Sequence, residues 1–240
     1  MEDKTCNRII SIEGNIGSGK STLLAQLKEE YKENADIIFL REPVDEWESI
    51  KDIDGTTMIQ KFYADQEKYS FPFQMMAYIS RLALLKEALT KNKNTIIITE
   101  RSLFTDKHVF AKMLYDMKKI EDVNYQIYSR WFDTFANDFP LNHIVYVKTD
   151  AIICHERVAK RSRNGESNIP ADYLNECHNY HEQMIIQLTK NCEITTLDGN
   201  TDIYENPKTL IDWKRIINEI IADNINKCNR SVFEPLHETS

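Results

Sequence analysis

The stretch Ile9-Ile-Ser-Ile-Glu-Gly-Asn-Ile-Gly-Ser-Gly-Lys20-Ser-Thr-Leu constrains this chain more than any other. A short β-branched run gives way to a glycine-rich turn and then to a helix-forming run. Gly14, Gly19, Lys20 and Ser21 stand at the spacing G-x-x-x-x-G-K-[ST], between a predicted strand and a predicted helix, which is the context the motif needs. Glycines let backbone N–H groups converge on a phosphate, and the following helix aims its positive end at the same point. Lys20 reaches the terminal phosphates, and the Ser21 hydroxyl suits Mg²⁺. Gly14, Asn15, Ile16, Gly17, Ser18, Gly19, Lys20, Ser21 and Thr22 are therefore read as a loop that holds ATP. A chance glycine turn is the competing reading, and the strand, loop and helix in register weigh against it.

A chain of 240 residues with 42% hydrophobic residues can bury the core of one large domain. Its formal charge of −8 argues against a general affinity for nucleic acid. No apolar stretch has the length of a membrane span, and the first residues resemble neither a signal nor a transit peptide. These features predict a cytoplasmic location. The cysteines Cys6, Cys154, Cys177, Cys192 and Cys228 are scattered and odd in number, so they read as free thiols. Cys177, His178 and His181 are spaced like metal ligands, but without a second ligand cluster they read as a solvated helix face.

Five short apolar runs predict strands at Arg8–Ile12, Asp36–Leu40, Thr95–Thr99, His143–Lys148 and Glu193–Leu197. Helical patterns separate them at Lys20–Glu33, Ser70–Lys91, Ser102–Met117, Val123–Asn137, Asp150–Arg161, Ala171–Lys190 and Thr209–Asn226. Strands alternating with helices imply an α/β fold, a five-stranded parallel sheet with right-handed crossovers. Functional residues then gather at the carboxyl ends of the strands. One domain over residues 1–227 and a mobile tail over 228–240 are expected.

Two predicted strands end in charge: Arg41-Glu42-Pro43-Val44 and Glu100-Arg101-Ser102. Carboxylates on neighbouring strand ends above such a loop can divide the work of phosphoryl transfer. One holds Mg²⁺ and the other takes a proton from the attacking hydroxyl. Helix-capping acids paired with Arg101 are the alternative. Arg157, Arg161 and Arg163 lie near a predicted helix end. They read either as cations on a helix dipole or as a lid over the transferring phosphate. The segment from Phe62 to Arg81 is rich in aromatic residues and reads equally as core or as a base-binding face. Gln74 there can meet a base edge beneath Phe73 or Phe110.

Taken together, these stretches resemble the deoxynucleoside kinase family. The resemblance rests on Ile12-Glu-Gly-Asn-Ile-Gly-Ser-Gly-Lys-Ser-Thr22, Glu42-Pro-Val44, Phe71-Pro-Phe-Gln74, Ser80-Arg-Leu82, Glu100-Arg-Ser102 and the arginine spacing 157, 161, 163. It implies a P-loop kinase fold with an arginine-rich lid over about 157–169, and phosphorylation of a deoxynucleoside 5′-hydroxyl by ATP with Mg²⁺. It also implies a homodimer packed through helices near Ser70–Lys91 and Val123–Asn137. By the same resemblance Glu42 is the general base, Arg101, Lys20 and Arg161 stabilise the reacting oxygens, and Ser21 with Glu100 serves Mg²⁺. Tyr63 and Glu166 bind the sugar 3′-hydroxyl. Gln74, Arg81 and Asp106 read the base inside walls from Val44, Trp47, Phe73, Ala77 and Phe110. Asp202 and Ile203 fall at the adenine-holding loop. Around Asn164 to Asn168 the chain departs from the deoxycytidine kinase pattern, which leaves the register of Glu166 open.

Two further expectations follow. Arg81 only donates hydrogen bonds and ionised Asp106 only accepts them, which suits cytosine and purines better than thymine. A nucleoside pocket that faces a triphosphate loop also predicts feedback inhibition by a deoxynucleoside triphosphate. A thymidylate-like monophosphate kinase and a non-catalytic nucleotide-binding relative are the alternatives. The motif Glu100-Arg-Ser with Glu42-Pro-Val weighs against the first, and the intact catalytic set against the second.

Overall fold

The computed structural model describes residues 6–161 and 169–233. Its strands are β1 (Arg8–Glu13), β2 (Ile37–Leu40), β3 (Ile96–Glu100), β4 (His143–Lys148) and β5 (Glu193–Asp198). They form one parallel sheet in the order β2-β3-β1-β4-β5. The helices are α1 (Lys20–Glu30), α2 (Val44–Ser49), α3 (Met58–Ala64), α4 (Gln66–Lys91), α5 (Leu103–Thr105), α6 (Lys112–Asp116), α7 (Asp122–Phe135), α8 (Ala151–Arg161), α9 (Ala171–Leu188) and α10 (Pro207–Phe233).

Successive strand side chains point to opposite faces, so a continuous apolar run needs cover on both. Ile10, Ile12, Ile96 and Ile98 pack against α1 and α10 through Leu23, Leu24, Leu27, Trp213 and Ile217. Ile9 and Ile97 turn the other way, onto Tyr78 and Leu85 of α4 and Tyr128 and Phe132 of α7. Each predicted strand lies within one residue of the observed one at both ends.

Helix boundaries differ more. α4 begins at Gln66, four residues before the expected Ser70, because the Asp65 carboxylate accepts from Lys68 N–H at 3.1 Å and caps it. Pro72 therefore lies inside the helix rather than in its first turn. α10 starts with Pro207 at its first position and continues past Lys227 to Phe233, with Cys228 buried. The helix thus crosses the boundary at which a tail was expected. The pattern from Ser102 to Met117 holds as one continuous helical run, but a π-helical turn, Asp106–Ala111, interrupts its α geometry between α5 and α6. A π turn holds one residue more than an α turn and recurs at functional sites.

None of the five cysteines is in a disulfide. The solvated face expected at Cys177 and His181 is instead core: both are fully buried, and His181 Nδ1 lies 2.6 Å from the Cys177 carbonyl oxygen. Burial pushes the Cys177 thiol up to about 12 and His181 down to about 3. Among the described residues no group of acidic, histidine and cysteine side chains is arranged to hold a metal on its own. No described helix is long and apolar enough to cross a membrane.

Candidate active site

The carboxyl ends of β1, β2 and β3 open into a cleft of about 430 Å³. Its floor at one end is the glycine loop after β1. Gly17 and Gly19 have φ of 83° and 101°, a region open to glycine and costly for other residues. A Cβ on Gly17 would lie 2.5 Å from the Cys154 carbonyl oxygen, so α8 presses directly on the loop. Asn15 braces it from behind, accepting from Ile16 N–H at 2.8 Å and donating to the Leu174 carbonyl at 2.8 Å. Ile16, Gly17, Ser18, Gly19, Lys20, Ser21 and Thr22 line the cleft, whereas Gly14 and Asn15 support it.

Lys20 is 4% exposed and donates to the Asn15 carbonyl at 2.6 Å. Burial, reinforced by Arg101, lowers its pKa to about 7. A phosphate beside Lys20 would restore the charge that burial disfavours. Ser21 Oγ donates to Glu100 Oε1. This hydroxyl and carboxylate are hard oxygen donors at the glycine-loop end of the cleft, and they fit Mg²⁺, which takes few protein ligands alongside phosphate and water.

At the centre stands Glu42, just after β2. It accepts from Arg101 Nη1 at 2.7 and 2.8 Å and from Arg81 Nη2 at 3.0 Å. Burial alone would raise its pKa, but Arg101, Arg81 and Lys20 overcome that and hold it well below the usual carboxylate range. Arg101 reaches Glu42 from a left-handed backbone, φ 61°, at the end of β3, and its guanidinium lies 5.2 Å from the centre of the Phe110 ring. Such strain in a non-glycine residue is concentrated at functional sites.

The far end is walled by Val44 and Trp47 of α2, Ile59, Phe62 and Tyr63 of α3, Phe73, Gln74 and Ala77 of α4, Asp106 and Phe110 of the π turn, and Tyr173 of α9. Phe73 stacks on Phe62 at 4.5 Å and meets Trp47 edge-on at 5.8 Å. The Trp47 indole N–H donates to Ser80 Oγ at 2.8 Å, which fixes the ring. Gln74 is 2% exposed, and its Oε1 has no partner among the described residues. A buried amide oxygen without a donor calls for one from a ligand.

Arg81 differs from expectation. It does not line the cleft but lies behind its wall. It donates from Nε to Asp106 at 2.9 Å, from Nη1 to the Glu100 carbonyl at 2.6 Å and from Nη2 to Glu42. The guanidinium thus ties the far end of the cleft to Glu42, and of the Arg81–Asp106 pair only Asp106 lines the cavity. Burial raises the Asp106 pKa to about 6 in spite of Arg81.

Arg157, Lys160 and Arg161 of α8 line the cleft at the glycine-loop end, and Arg157 Nη1 is anchored on the Gly199 carbonyl at 2.8 Å. Asp202 and Ile203 line the cleft beyond them, together with Thr201, Tyr204 and Trp213. Arg163 and Glu166 lie outside the described residues. Sequence reasoning missed Ile59, Tyr173, Thr201, Tyr204 and Trp213. A signal existed for Ile59: Thr57 and Gln60 form a reciprocal cap at 3.2 and 2.9 Å, a spacing legible in the sequence as a helix start.

The chain matches the family model described as deoxynucleoside kinase over residues 10–225. It is 37% identical to the Probable deoxycytidine kinase FPV151 of Fowlpox virus, over 73% of this chain and 71% of that protein. It is 31% identical to human deoxycytidine kinase over 85% and 88% of the two chains. The mitochondrial deoxyguanosine kinase of Xenopus laevis is 28% identical over 82% and 83%. A phosphate loop joined by one cleft to an aromatic pocket, with paired arginines on a carboxylate between them, agrees with that match. The chain belongs to the deoxynucleoside kinase family, a group of P-loop phosphotransferases.

Proposed function

We propose that this protein moves the γ-phosphoryl group of ATP onto the 5′-hydroxyl of a deoxynucleoside, with Glu42 as the base. The observation that carries the reading is the position of Glu42 between the two halves of one cleft. Its carboxylate is held by Arg101 and Arg81, with the phosphate loop on one side and the Phe73–Gln74 pocket on the other. Its depressed pKa keeps it ionised at neutral pH. Phosphoryl transfer passes through a loose transition state, so the proton is taken late and a weak base suffices. Arg101 then faces both the carboxylate and the oxygens in transfer. Mg²⁺ at Ser21 and Glu100 would supply charge neutralisation on the phosphates. Lys20, Arg157 and Arg161 line the same end and suit the phosphate chain, while Tyr63 suits the sugar. Asp202 and Ile203 suit the adenine.

The base-reading part rests on Gln74 and Asp106, with Arg81 as the anchor of Asp106 rather than a contact of its own. An ionised carboxylate next to an amide favours a base that offers an amino group, as cytosine and adenine do. Names of relatives that cite deoxycytidine and deoxyguanosine point the same way. A homodimer is supported by the outer face of α7, where Val123, Ile127, Trp131 and Phe135 recur every fourth residue at 63%, 43%, 48% and 40% exposure. Such a stripe is wider than a lone solvent-facing residue and suits a second copy.

The test is a panel of the four deoxynucleosides with ATP and Mg²⁺, read as 5′-monophosphate formed, for wild type and Glu42→Gln. Turnover in the variant should fall by about 10²–10⁴-fold, the usual worth of a general base. Phosphorylation of none of the four, or near-normal turnover by Glu42→Gln, would overturn the proposal.

A further inference from the structure

On the side of the sheet remote from the cleft, the chain's first described residues meet its last helix. Arg8 Nε donates to Asn224 Oδ1 at 2.6 Å. Two residues before Arg8, Cys6 meets Cys228, one helical turn beyond Asn224, with Cys228 Sγ 2.6 Å from the Cys6 carbonyl oxygen. The two spacings match. Two residues of extended chain advance about 6.6 Å, and four residues of helix advance about 6 Å. Residues 6 and 8 therefore face residues 228 and 224 in register.

Both partners are fixed. Cys6 N–H donates to Asn94 Oδ1 at 2.9 Å, and Asn7 is held by Asn92 and Thr95. Asn224 is itself 1% exposed and bonded to the Ile220 carbonyl at 2.8 Å. The neighbouring Cys6 is among the causes that raise the Cys228 thiol, after burial. Cys6 is half-buried, so a small solute can reach it, and Cys228 is 4% exposed, so it is shielded.

We propose that Cys6 and Cys228 are a modification site, closing into a reversible disulfide that staples the amino-terminal strand to the last helix. The oxidant is a low-molecular-weight disulfide such as oxidised glutathione. The Cys6 thiolate attacks one of its sulfurs and expels one glutathione thiolate, giving a mixed disulfide. Cys228 then gives up its proton to solvent, and its sulfur attacks Cys6 Sγ and expels the second glutathione. Two protein thiols are oxidised and one glutathione disulfide is reduced to two thiols. Among the described residues the thiols of Cys154, Cys177 and Cys192 meet Thr149, Met113 and Leu188 rather than another cysteine. Because the staple lies far from the phosphate loop, it should change stability and leave turnover alone. Cross-linking residues so distant in sequence restricts the unfolded chain strongly.

The experiment uses the full chain, incubated with oxidised or reduced glutathione, alkylated under denaturing conditions and mapped by mass spectrometry. Oxidation should remove two of the five alkylatable thiols and yield one peptide pair linking Cys6 to Cys228. The unfolding midpoint should rise on the order of 5–10 °C, reversibly with dithiothreitol. Cys6→Ser should show neither effect and should keep wild-type phosphorylation. Retention of all five thiols, a bridge between other cysteines, or a stable glutathione adduct on Cys6 without closure would each overturn the proposal. The wild-type peptide map decides the matter even if the variant folds poorly.

Discussion

We predict that base selection depends on pH through Asp106. If its carboxylate meets the base edge, its charge decides which base fits. Ionised, it accepts from the 4-amino group of cytosine and leaves the O4 of thymine facing an acceptor. Protonated, it can donate to that O4. An unpaired buried polar group costs about 1–3 kcal/mol, which corresponds to about 5- to 150-fold in specificity. Burial raises the Asp106 pKa to about 6, above its ordinary 3.8, against the pull of Arg81. The carboxylate is therefore neutral below about 6 and charged above it. We predict that the ratio of kcat/KM for deoxycytidine to that for thymidine rises as pH passes upward through this value. From pH 5 to pH 7.5 the rise should be at least about fivefold, the lower bound of the cost above. Arg81→Met removes the attraction that restrains the shift, so burial carries the midpoint higher. At pH 7 the variant should then tolerate thymidine. Turnover will also drop, because Arg81 Nη2 no longer holds Glu42, but that loss is common to both substrates and cancels in the ratio. Asp106→Asn should abolish the pH dependence. The assay is steady-state phosphorylation of both nucleosides from pH 5 to 8. A ratio flat across that range in wild type, or a midpoint unmoved by Arg81→Met, would refute the reasoning.

Two other outcomes are expected. Trp131→Glu, at the centre of the exposed α7 stripe, should weaken self-association by about 30- to 1000-fold, the range of an interface anchor. Sedimentation equilibrium measures this, and a monomeric wild type would refute it. A deoxynucleoside triphosphate bearing the preferred base should inhibit competitively against both ATP and nucleoside, because one cleft holds both the base pocket and the phosphate loop. Kinetics showing no inhibition by any of the four triphosphates would count decisively against that.

The strands and the phosphate loop were legible because each is written in consecutive residues. Ile9–Ile12 is apolar but for Ser11, Ile96–Ile98 is apolar throughout, and Gly14, Gly19 and Lys20 have a fixed spacing. Short helices were harder. α2 and α3, six and seven residues long, are too short to show a period, although Thr57 and Gln60 marked one of them. The π turn left no trace in the pattern, since its extra residue only shifts the phase of an apolar stripe. Arg81 was expected at the base edge beside Asp106, but which side of a wall a guanidinium occupies depends on neighbours from two strand ends and the π turn. Trp213 and Tyr173 reached the cleft from α10 and α9, whose own sequences point only to core. The buried pair Cys177 and His181 looked solvated because their helix is polar on its remaining faces.

The order of strands in the sheet has a consequence for how the molecule is made. Of the five strands of this sheet β1 is synthesised before the others, yet it lies at the centre, between β3 and β4. Its start bonds to residues 88 and 133 positions further along the chain. Until those segments are synthesised, Ile9, Ile10 and Ile12 have neither strand neighbours nor the helices that cover them. Glu100 and Arg101, which complete the cleft around Ser21 and Glu42, arrive with β3. The chain therefore builds its nucleotide loop at the outset and gains a surface able to use it only when most of the domain exists. Non-local pairing of this kind slows folding and prolongs the exposure of apolar strands. ATP can stabilise the finished protein by mass action but cannot template its early stages.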